Sequence, residues 1–190
     1  IRGLVGSEMC IRDRFKVPTL IQEQNSLPGI SNKLLSRYAD YISVAYEKMD
    51  RYFPSNKIYL TGNPIRESIT KNINISHYKK INNITDDILV LTVLGGSLGA
   101  ERINRIIEDN IEFIKSKNVF LIWQCGSLYF ENYKHFNSDF IKIIDFIDDI
   151  DSVYQISDII IARSGALTLS ELAIVGLSLI HISEPTRPRI

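Results

Sequence analysis

Short apolar runs alternate with helical patterns along the interior of the chain. Several runs are apolar at consecutive positions, which is typical of parallel strands covered by helices on both faces. The predicted strands are residues 18–22, 41–45, 58–60, 88–94, 119–124, 140–145 and 158–162. Residues 101–115 predict one amphipathic helix, with an apolar stripe formed by Ile103, Ile106, Ile107, Ile111 and Ile114. This alternation predicts an α/β fold built on a doubly wound parallel sheet.

Both ends depart from this pattern. Residues 1–14 and 178–190 show no strand or helix period, and they resemble translated sequencing-adapter sequence. We therefore expect both segments to be artefacts without function, which leaves residues 15–177 as the interior to interpret. Within it, residues 72–87 are the most polar stretch, and they predict a helix and a loop before the sheet starts again.

Composition narrows the function classes. The 190 residues carry 22 basic and 22 acidic side chains, so a nucleic-acid surface is not expected. No apolar run approaches the roughly 18 residues that a membrane-spanning helix requires. Two cysteines, Cys10 and Cys125, make neither a disulfide framework nor a zinc site, which fits a reducing cytoplasm.

A glycine-rich turn follows the most apolar predicted strand and precedes the predicted helix. Gly95, Gly96 and Gly99 allow the backbone to turn tightly, so that amide groups at the helix start form an anion site. The spacing matches neither G-x-G-x-x-G nor a lysine-containing phosphate-binding loop. Ser97 fits either of two roles, a hydroxyl that binds phosphate or the N-cap of the helix. The carboxyl end of a parallel strand favours the ligand role.

A second strand, turn and helix occupy residues 162–171. Thr168 and Glu171 fit a T-x-x-E capping box, which on the residues alone is the favoured interpretation. The alternative is that the Glu171 carboxylate accepts hydrogen bonds from the two adjacent hydroxyls of a ribose. Asp149 and Asp151 form a D-x-D pair that could hold a metal–nucleotide complex, but acidic residues that open a helix explain them more simply.

Two further segments could reach a ligand. Arg66 follows an Asn-Pro turn, just inside a predicted helix, where it could neutralise a diphosphate, although most surface arginines are simply solvated. The polar residues 22–25 end a predicted strand and indicate a loop that lines a cleft, although ordinary loop polarity would also explain them. We find no combination of serine, histidine and acid that indicates nucleophilic catalysis, and we expect His77 and His135 to be surface residues.

Five ordered motifs resemble those of the MurG family, the bacterial N-acetylglucosaminyltransferases that convert lipid I to lipid II in peptidoglycan synthesis. The motifs are QEQN at 22–25, TGNPIR at 61–66, GGSLGA at 95–100, DFIDD at 145–149 and RSGALTLSE at 163–171. The resemblance implies a GT-B architecture of two Rossmann-like domains. Residues 15–64 would then end the acceptor-side domain, and residues 65–177 would begin the UDP-N-acetylglucosamine (UDP-GlcNAc) domain.

The resemblance also implies roles for individual residues. Arg66 and Ser97 would hold the diphosphate, beside the glycine loop, and the backbone at Ile147 would meet the uracil. Glu171 would take the ribose hydroxyls, and Asn25 would face the donor sugar or the acceptor. The residues that would lie along the nucleotide are Ala166, Leu167, Thr168, Leu169 and Ser170. No cofactor, metal ion or nucleic acid is implied.

The family's reaction implies an inverting transfer of N-acetylglucosamine from UDP-GlcNAc to lipid I at the cytoplasmic face of the plasma membrane. Many members have histidine at the position of Gln22, so we assign no acid or base role there. The family's amino-terminal glycine-rich loop and its donor-sugar loop have no counterpart here, and we therefore expect the chain alone to be inactive. The alternatives are another GT-B enzyme, such as a diacylglycerol glycosyltransferase or a UDP-sugar epimerase, and a non-catalytic nucleotide-binding module.

Overall fold

The computed structural model of the chain describes residues 15, 17–70, 76, 79–80, 84–85 and 87–181. The chain divides into two compact units, Ile1–Pro64 and Ile65–Ile190. Most of the polar stretch predicted as a helix and loop at 72–87 lies outside the described residues. No helix among the described residues is long and apolar enough to cross a membrane.

The described part of the first unit is a three-stranded parallel sheet. Its order is β1 (Leu20–Glu23), β2 (Tyr41–Val44) and β3 (Ile58–Leu60), and the helix α1 (Ile30–Leu35) connects the first two strands. Short 3-10 turns at Met49–Arg51 and Ser55–Lys57 lead from β2 to β3. A small apolar core forms around this sheet from Ala39, Ile42, Val44, Met49 and Phe53.

The second unit contains a five-stranded parallel sheet in the described residues, in the order β6-β5-β4-β7-β8. Its strands are β4 (Leu89–Leu94), β5 (Val119–Gln124), β6 (Ile141–Ile144), β7 (Ile159–Ala162) and β8 (Ser178–His181). Its α-helices are α2 (Glu101–Asp109), α3 (Ile111–Lys115), α4 (Phe130–Tyr133), α5 (Ile150–Ile156) and α6 (Ala166–Val175), with 3-10 turns at Glu67–Thr70 and Lys134–Phe136.

Helices cover both faces of this sheet. Alternate strand residues point to opposite faces, so Val90 and Leu94 of β4 join one buried cluster and Val93 joins the other. The first cluster includes Val153 and Tyr154 of α5 and Leu172 of α6; the second includes Ile103, Ile107, Ile111 and Ile114 of α2 and α3. The predicted doubly wound α/β sheet is therefore confirmed, and each of the seven predicted strands is present.

Two predicted local features were wrong. The single helix at 101–115 is two helices, because Asn110 leaves the helical region at φ −108° and ψ 7°, and Ile106 is only half-buried. Residues 178–181 also form a strand, although no strand period is visible there. An edge strand can be held by main-chain hydrogen bonds along β7, and Ser178 lies opposite Ile159. The adapter-like origin of both ends stays a prediction; residues 1–14 and 182–190 lie outside the described residues.

Candidate functional site

A cavity of about 450 Å³ lies in the second unit at the carboxyl ends of three parallel strands. Leu94, Gln124 and Ala162, the last residues of β4, β5 and β7, form its floor. This edge of an open α/β sheet is where such folds bind their ligands. The remaining lining residues are Arg66, Gly95, Gly96, Ser97, Phe146, Ile147, Ile150, Tyr154, Arg163, Gly165, Leu167, Thr168 and Glu171.

The glycine loop at the cavity is held against the loop that follows β5. The amide of Gly95 donates to the carbonyl of Gln124 at 2.9 Å, and the carbonyl of Ser97 accepts from the amide of Ser127 at 3.1 Å. Gly99 and Gly126 both have positive φ, +89° and +88°, and their backbones lie in direct contact. Glycine is required at both positions, because a Cβ on either would overlap the main chain of the other loop.

Ser97 is not the N-cap of the following helix. That position belongs to Ala100, and α2 begins at Glu101. The capping interpretation of Ser97 was therefore wrong, since the glycine turn extends three residues beyond the serine. Ser97 instead lines the cavity, and its role toward a phosphate stays a prediction.

The start of α6 also differs from the predicted capping box. Gly165, with extended backbone at φ −69° and ψ 139°, is the N-cap, so Thr168 already lies within the helix and Glu171 lies a further turn along it. The T-x-x-E capping interpretation was wrong, because the helix begins three residues earlier than that pattern requires. The N-cap residues of α2 and α6, Ala100 and Gly165, make no side-chain capping hydrogen bond, and the positive ends of both helix dipoles favour negative charge nearby.

Two arginines and one carboxylate give the cavity its charge. Arg66 and Arg163 both line it, and the Nε of Arg66 lies 3.8 Å from Oε1 of Glu171. The Glu171 side chain is only 11% exposed, whereas the Arg66 side chain is 59% exposed. A half-exposed arginine in the same cavity as the glycine loop and the first turn of α6 is a favourable arrangement for a phosphate or diphosphate group.

The second oxygen of Glu171 has a fixed partner. The hydroxyl of Tyr154 on α5 donates to Oε2 of Glu171 at 3.0 Å, and Tyr154 is itself buried. Burial raises the pKa of Tyr154, and the adjacent Glu171 carboxylate raises it further, so the phenol stays a neutral hydrogen-bond donor at physiological pH. A buried carboxylate held in this way can accept hydrogen bonds from ligand hydroxyls.

The opposite part of the wall is apolar. Phe146 is half-exposed there, Ile147 is buried, and Ile150 and Leu167 complete the surface. Asp149 does not line the cavity; Oδ1 of its carboxylate accepts from the amide of Ser152 at 3.1 Å and so caps α5. The helix-opening interpretation of this acidic segment is confirmed. Among the described residues, no cluster of three or more histidine, cysteine or acidic side chains could hold a metal ion.

The cavity brings together most, but not all, of the predicted ligand residues. Arg66, Gly95, Gly96, Ser97, Ile147, Leu167, Thr168 and Glu171 line it. Gly99 does not line the cavity; its backbone contacts Gly126 in the loop after β5. Ala166, Leu169 and Ser170 lie on α6 and do not line the cavity either. Sequence reasoning missed Gln124, Phe146, Ile150, Tyr154 and Arg163. Gln124 could have been predicted to line the cavity because it ends a strand, and Arg163 because it lies in one of the motifs. No feature of the sequence indicates Tyr154.

Two residues weighed from the sequence lie away from this chemistry. Cys125 is fully buried, and burial raises the pKa of its thiol to about 11, which is consistent with a structural cysteine. His135 is exposed, as predicted, and His77 lies outside the described residues.

Asn25 belongs to the first unit, where a buried carboxylate fixes its loop. Glu23 is 2% exposed. Its Oε1 accepts from the amide of Asn25 at 3.0 Å and from Nδ2 of Asn25 at 3.2 Å. Its Oε2 accepts from the amide of Gly29 at 3.0 Å and from Nδ2 of Asn32 at 2.8 Å. Glu23 therefore orients Asn25, whose role toward a sugar or an acceptor stays a prediction.

These hydrogen bonds predict a pH-dependent contribution to stability. Burial alone raises the pKa of Glu23, but the bonds from Asn32, Asn25 and Gly29 together outweigh it, and the pKa is lowered from 4.5. The stabilisation is therefore complete above pH 4.5 and is lost as the pH falls through the lowered value. We expect Glu23→Gln to lower the free energy of unfolding by about 2 kcal/mol at pH 7. The NH₂ group of glutamine would face N–H groups that now donate to the carboxylate, and it cannot accept their hydrogen bonds.

Urea unfolding at pH 7 and at pH 3 measures this effect. The difference between Glu23→Gln and the unaltered chain should shrink at the lower pH. Glu47→Gln is the control, because Glu47 is an exposed acidic residue of the same unit, and its effect should stay within about 0.5 kcal/mol. A loss for Glu23→Gln that is equally large at both pH values would contradict the prediction.

Comparison with known proteins identifies the family of the second unit. Residues 90–189 match the model of the glycosyltransferase family 28 C-terminal domain. The chain is 46% identical over 186 residues to a protein of Flavobacterium psychrophilum named UDP-N-acetylglucosamine--N-acetylmuramyl-(pentapeptide) pyrophosphoryl-undecaprenol N-acetylglucosamine transferase, covering 95% of the chain and 50% of that protein. The relative of the same name from Cytophaga hutchinsonii is 44% identical over 176 residues, covering 89% and 46%.

A solved structure agrees with these relatives. The crystal structure of Acinetobacter baumannii MurG matches 94% of the chain and 49% of its own length, with a TM-score of 0.64 and 26% sequence identity. The chain thus spans about half the length of the proteins that it matches. Since the family model covers more than half of the chain and the relatives carry the MurG-type name, the chain belongs to glycosyltransferase family 28, in the MurG group that its motifs resemble.

Proposed function

We propose that the chain supplies the donor-nucleotide site of an inverting glycosyltransferase. The enzyme would transfer N-acetylglucosamine from UDP-GlcNAc to the 4-hydroxyl of the N-acetylmuramyl-pentapeptide of lipid I, giving lipid II. The observation that carries this proposal is the cavity at the carboxyl edge of the sheet. There, the glycine loop, the first turn of α6 and Arg66 suit a diphosphate, while the buried Glu171 carboxylate suits a pair of hydroxyls.

The cavity wall supports one orientation of the nucleotide. The glycine loop, Ser97 and Arg66 would bind the diphosphate, and Glu171 would accept hydrogen bonds from the ribose. The apolar surface at Phe146 and Ile150 would cover the uracil, with the backbone at Ile147 available for its polar edge. Leu167 and Thr168, in the first turn of α6, would lie along the nucleotide.

Binding in this orientation would assist the chemical step. When the acceptor hydroxyl attacks the anomeric carbon, the bond to the diphosphate breaks and negative charge develops on the departing UDP. The helix starts of α2 and α6 and the guanidinium of Arg66 would stabilise that charge, without reorganising as the reaction proceeds. The second unit would therefore contribute positioning and leaving-group stabilisation, and not an acid or a base.

The proposed acceptor also sets a location for the full-length protein. The relatives' names specify a pyrophosphoryl-undecaprenol acceptor, which is a lipid. Because UDP-GlcNAc is a cytoplasmic donor, we place the reaction at the cytoplasmic face of the plasma membrane, with the protein bound peripherally.

Nucleotide binding is the direct test of the proposed site. Calorimetric titration of the chain with UDP should show binding, and Glu171→Ala should weaken it about tenfold or more, because hydrogen bonds to a charged group are lost. Arg66→Ala should have a similar effect through the diphosphate. Arg105→Ala is the matched control, since Arg105 forms an exposed ion pair with Glu101 at 2.6 Å and does not line the cavity. Equal affinities for all four proteins would contradict the proposal.

Acceptor identity requires a full-length protein that contains this chain. Incubation with UDP-GlcNAc and lipid I should yield lipid II and UDP. Parallel reactions with diacylglycerol, and without any acceptor, test the glycolipid-synthesis and epimerase alternatives. If the protein binds UDP but converts UDP-GlcNAc in none of these reactions, a non-catalytic nucleotide-binding module would be favoured instead.

A further inference from the structure

Tyr154 is a buried polar residue on the wall of the cavity. It is 2% exposed, and its hydroxyl lies 3.0 Å from Oε2 of Glu171. The two residues come from different helices, α5 and α6, and lie 17 positions apart in the chain. The hydrogen bond therefore links the two helices at the point where both face the cavity.

The surrounding core fixes the tyrosine. Val153 and Ile156, its neighbours on α5, are buried in the same apolar cluster as Leu172, which follows Glu171 on α6. Because this cluster holds both helix backbones, the phenol has little freedom to follow the carboxylate. The carboxylate is instead held by the phenol. Its other oxygen, Oε1, lies 3.8 Å from the half-exposed Arg66, which is too far for a direct hydrogen bond.

Two adjacent hydroxyls need a carboxylate with a defined plane. If the carboxylate plane can rotate, the carboxylate cannot keep good hydrogen-bond geometry to both ribose hydroxyls at once. A ligand with two hydroxyls then binds little better than a ligand with one. In the described surroundings of Glu171, the bond from Tyr154 is the short contact that sets this plane.

We propose that Tyr154 is a positioning residue that holds the Glu171 carboxylate for both ribose hydroxyls, and so makes the site prefer a ribonucleotide to its 2′-deoxy counterpart. The inference rests on the proposed binding of the ribose by Glu171 and adds the residue that determines sugar selectivity. Tyr154 itself need not touch the nucleotide. Its effect passes through Glu171 alone.

The test compares two ligands across two tyrosine variants. Calorimetric titration with UDP and with 2′-deoxy-UDP gives a ratio of dissociation constants for each protein. We expect the unaltered chain to bind UDP about tenfold more tightly than 2′-deoxy-UDP, because one hydrogen bond to a charged group is missing in the deoxy complex. In Tyr154→Phe this ratio should fall to about threefold or less.

Tyr133 offers a matched control in the same unit. It is another buried tyrosine, and its hydroxyl donates to a glutamate, Glu108 Oε2, at 3.4 Å, but it does not line the cavity. Tyr133→Phe removes the same atom from a similar environment and should leave the ratio unchanged. If Tyr154→Phe weakens both nucleotides by the same factor, its role is merely structural and the inference is overturned.

A double variant tests whether Tyr154 acts through the Glu171 carboxylate or directly on the nucleotide. Glu171→Gln replaces the buried charge, so its combination with Tyr154→Phe leaves no unpaired carboxylate. If Tyr154 acts only through that carboxylate, the ratio for the double variant should equal that for Glu171→Gln alone. A further drop would overturn the inference.

The two proposals fail in different ways. If the unaltered chain shows no ribose preference, the binding of ribose by Glu171 is wrong and the inference falls with it. If the preference is present and Tyr154→Phe retains it in full, the proposed function stands and only the inference is overturned.

Discussion

Gly126→Ala should destabilise the second unit by about 3 kcal/mol or more, and it should abolish nucleotide binding at the cavity. Gly126 has φ +88°, and a Cβ there would lie 2.1 Å from the amide nitrogen of Gly99 and 2.3 Å from its Cα. Both atoms belong to the main chain, so no side-chain rotation relieves the overlap. The glycine loop would have to move away from the cavity floor.

Gly96→Ala is the control that separates the cost of this atomic overlap from the cost of placing alanine at positive φ. Gly96 also has positive φ, +78°, but a Cβ there would meet nothing within 4 Å. Its cost should therefore be only about 1 to 2 kcal/mol. Urea unfolding followed by the fluorescence of Trp123, the sole tryptophan of the chain, measures the second unit. Equal losses for the two variants would show that the contact with Gly99 is unimportant.

Asn104→Leu should cost about 3 kcal/mol, because it leaves two buried polar groups without partners. Asn104 is fully buried on α2; its Nδ2 donates to the carbonyl of Cys125 at 2.8 Å, and its Oδ1 accepts from Nε1 of Trp123 at 2.9 Å. Leucine has a similar volume but can satisfy neither group. Since Cys125 precedes Gly126, the loop behind the cavity would lose its anchor to α2.

The control for this change is Asn110→Leu. Asn110 is an exposed asparagine whose Nδ2 donates to the carbonyl of Ile106 at 2.8 Å, and its replacement should cost less than about 1 kcal/mol. Thermal unfolding of both variants checks the ranking, and the emission maximum of Trp123 reports the lost indole hydrogen bond. An Asn104→Leu protein as stable as the unaltered chain would refute the prediction.

The strands were predictable from sequence because their apolar runs leave little choice of environment. In β4 and β5, successive residues are buried on both faces, and a run of six mostly apolar residues, rich in β-branched or aromatic side chains, that ends at a glycine turn favours a strand covered on both sides over a buried helix. The edge strand β8 was not predictable in this way. Its main-chain pairing with β7 depends on the neighbouring strand, and periodicity along one segment does not record that.

Helix starts were the weakest part of the sequence interpretation. Thr168 and Glu171 match a capping box, yet Gly165 begins the helix, because extended glycine backbone competes well with a hydroxyl cap. The cavity-lining residues within the motifs were predicted, since a glycine turn at a strand end has a recognisable spacing. The place of Tyr154 in the cavity could not be predicted, because its hydroxyl bonds to a carboxylate 17 residues away that only the packing of two helices brings close.

The cavity is bounded in sequence by Arg66 and Glu171, which lie near the start of the second unit and on its last described helix. During synthesis the glycine loop is complete long before α6 exists, so the loop and the Glu171 carboxylate, two parts of the proposed nucleotide site, cannot act together until that helix docks. The proposed nucleotide affinity therefore requires α6 to be folded onto the sheet. A nucleotide at 100 times its dissociation constant would favour the finished unit over its unfolded chain by about 2.7 kcal/mol, so the donor substrate would also protect the newly made protein against unfolding.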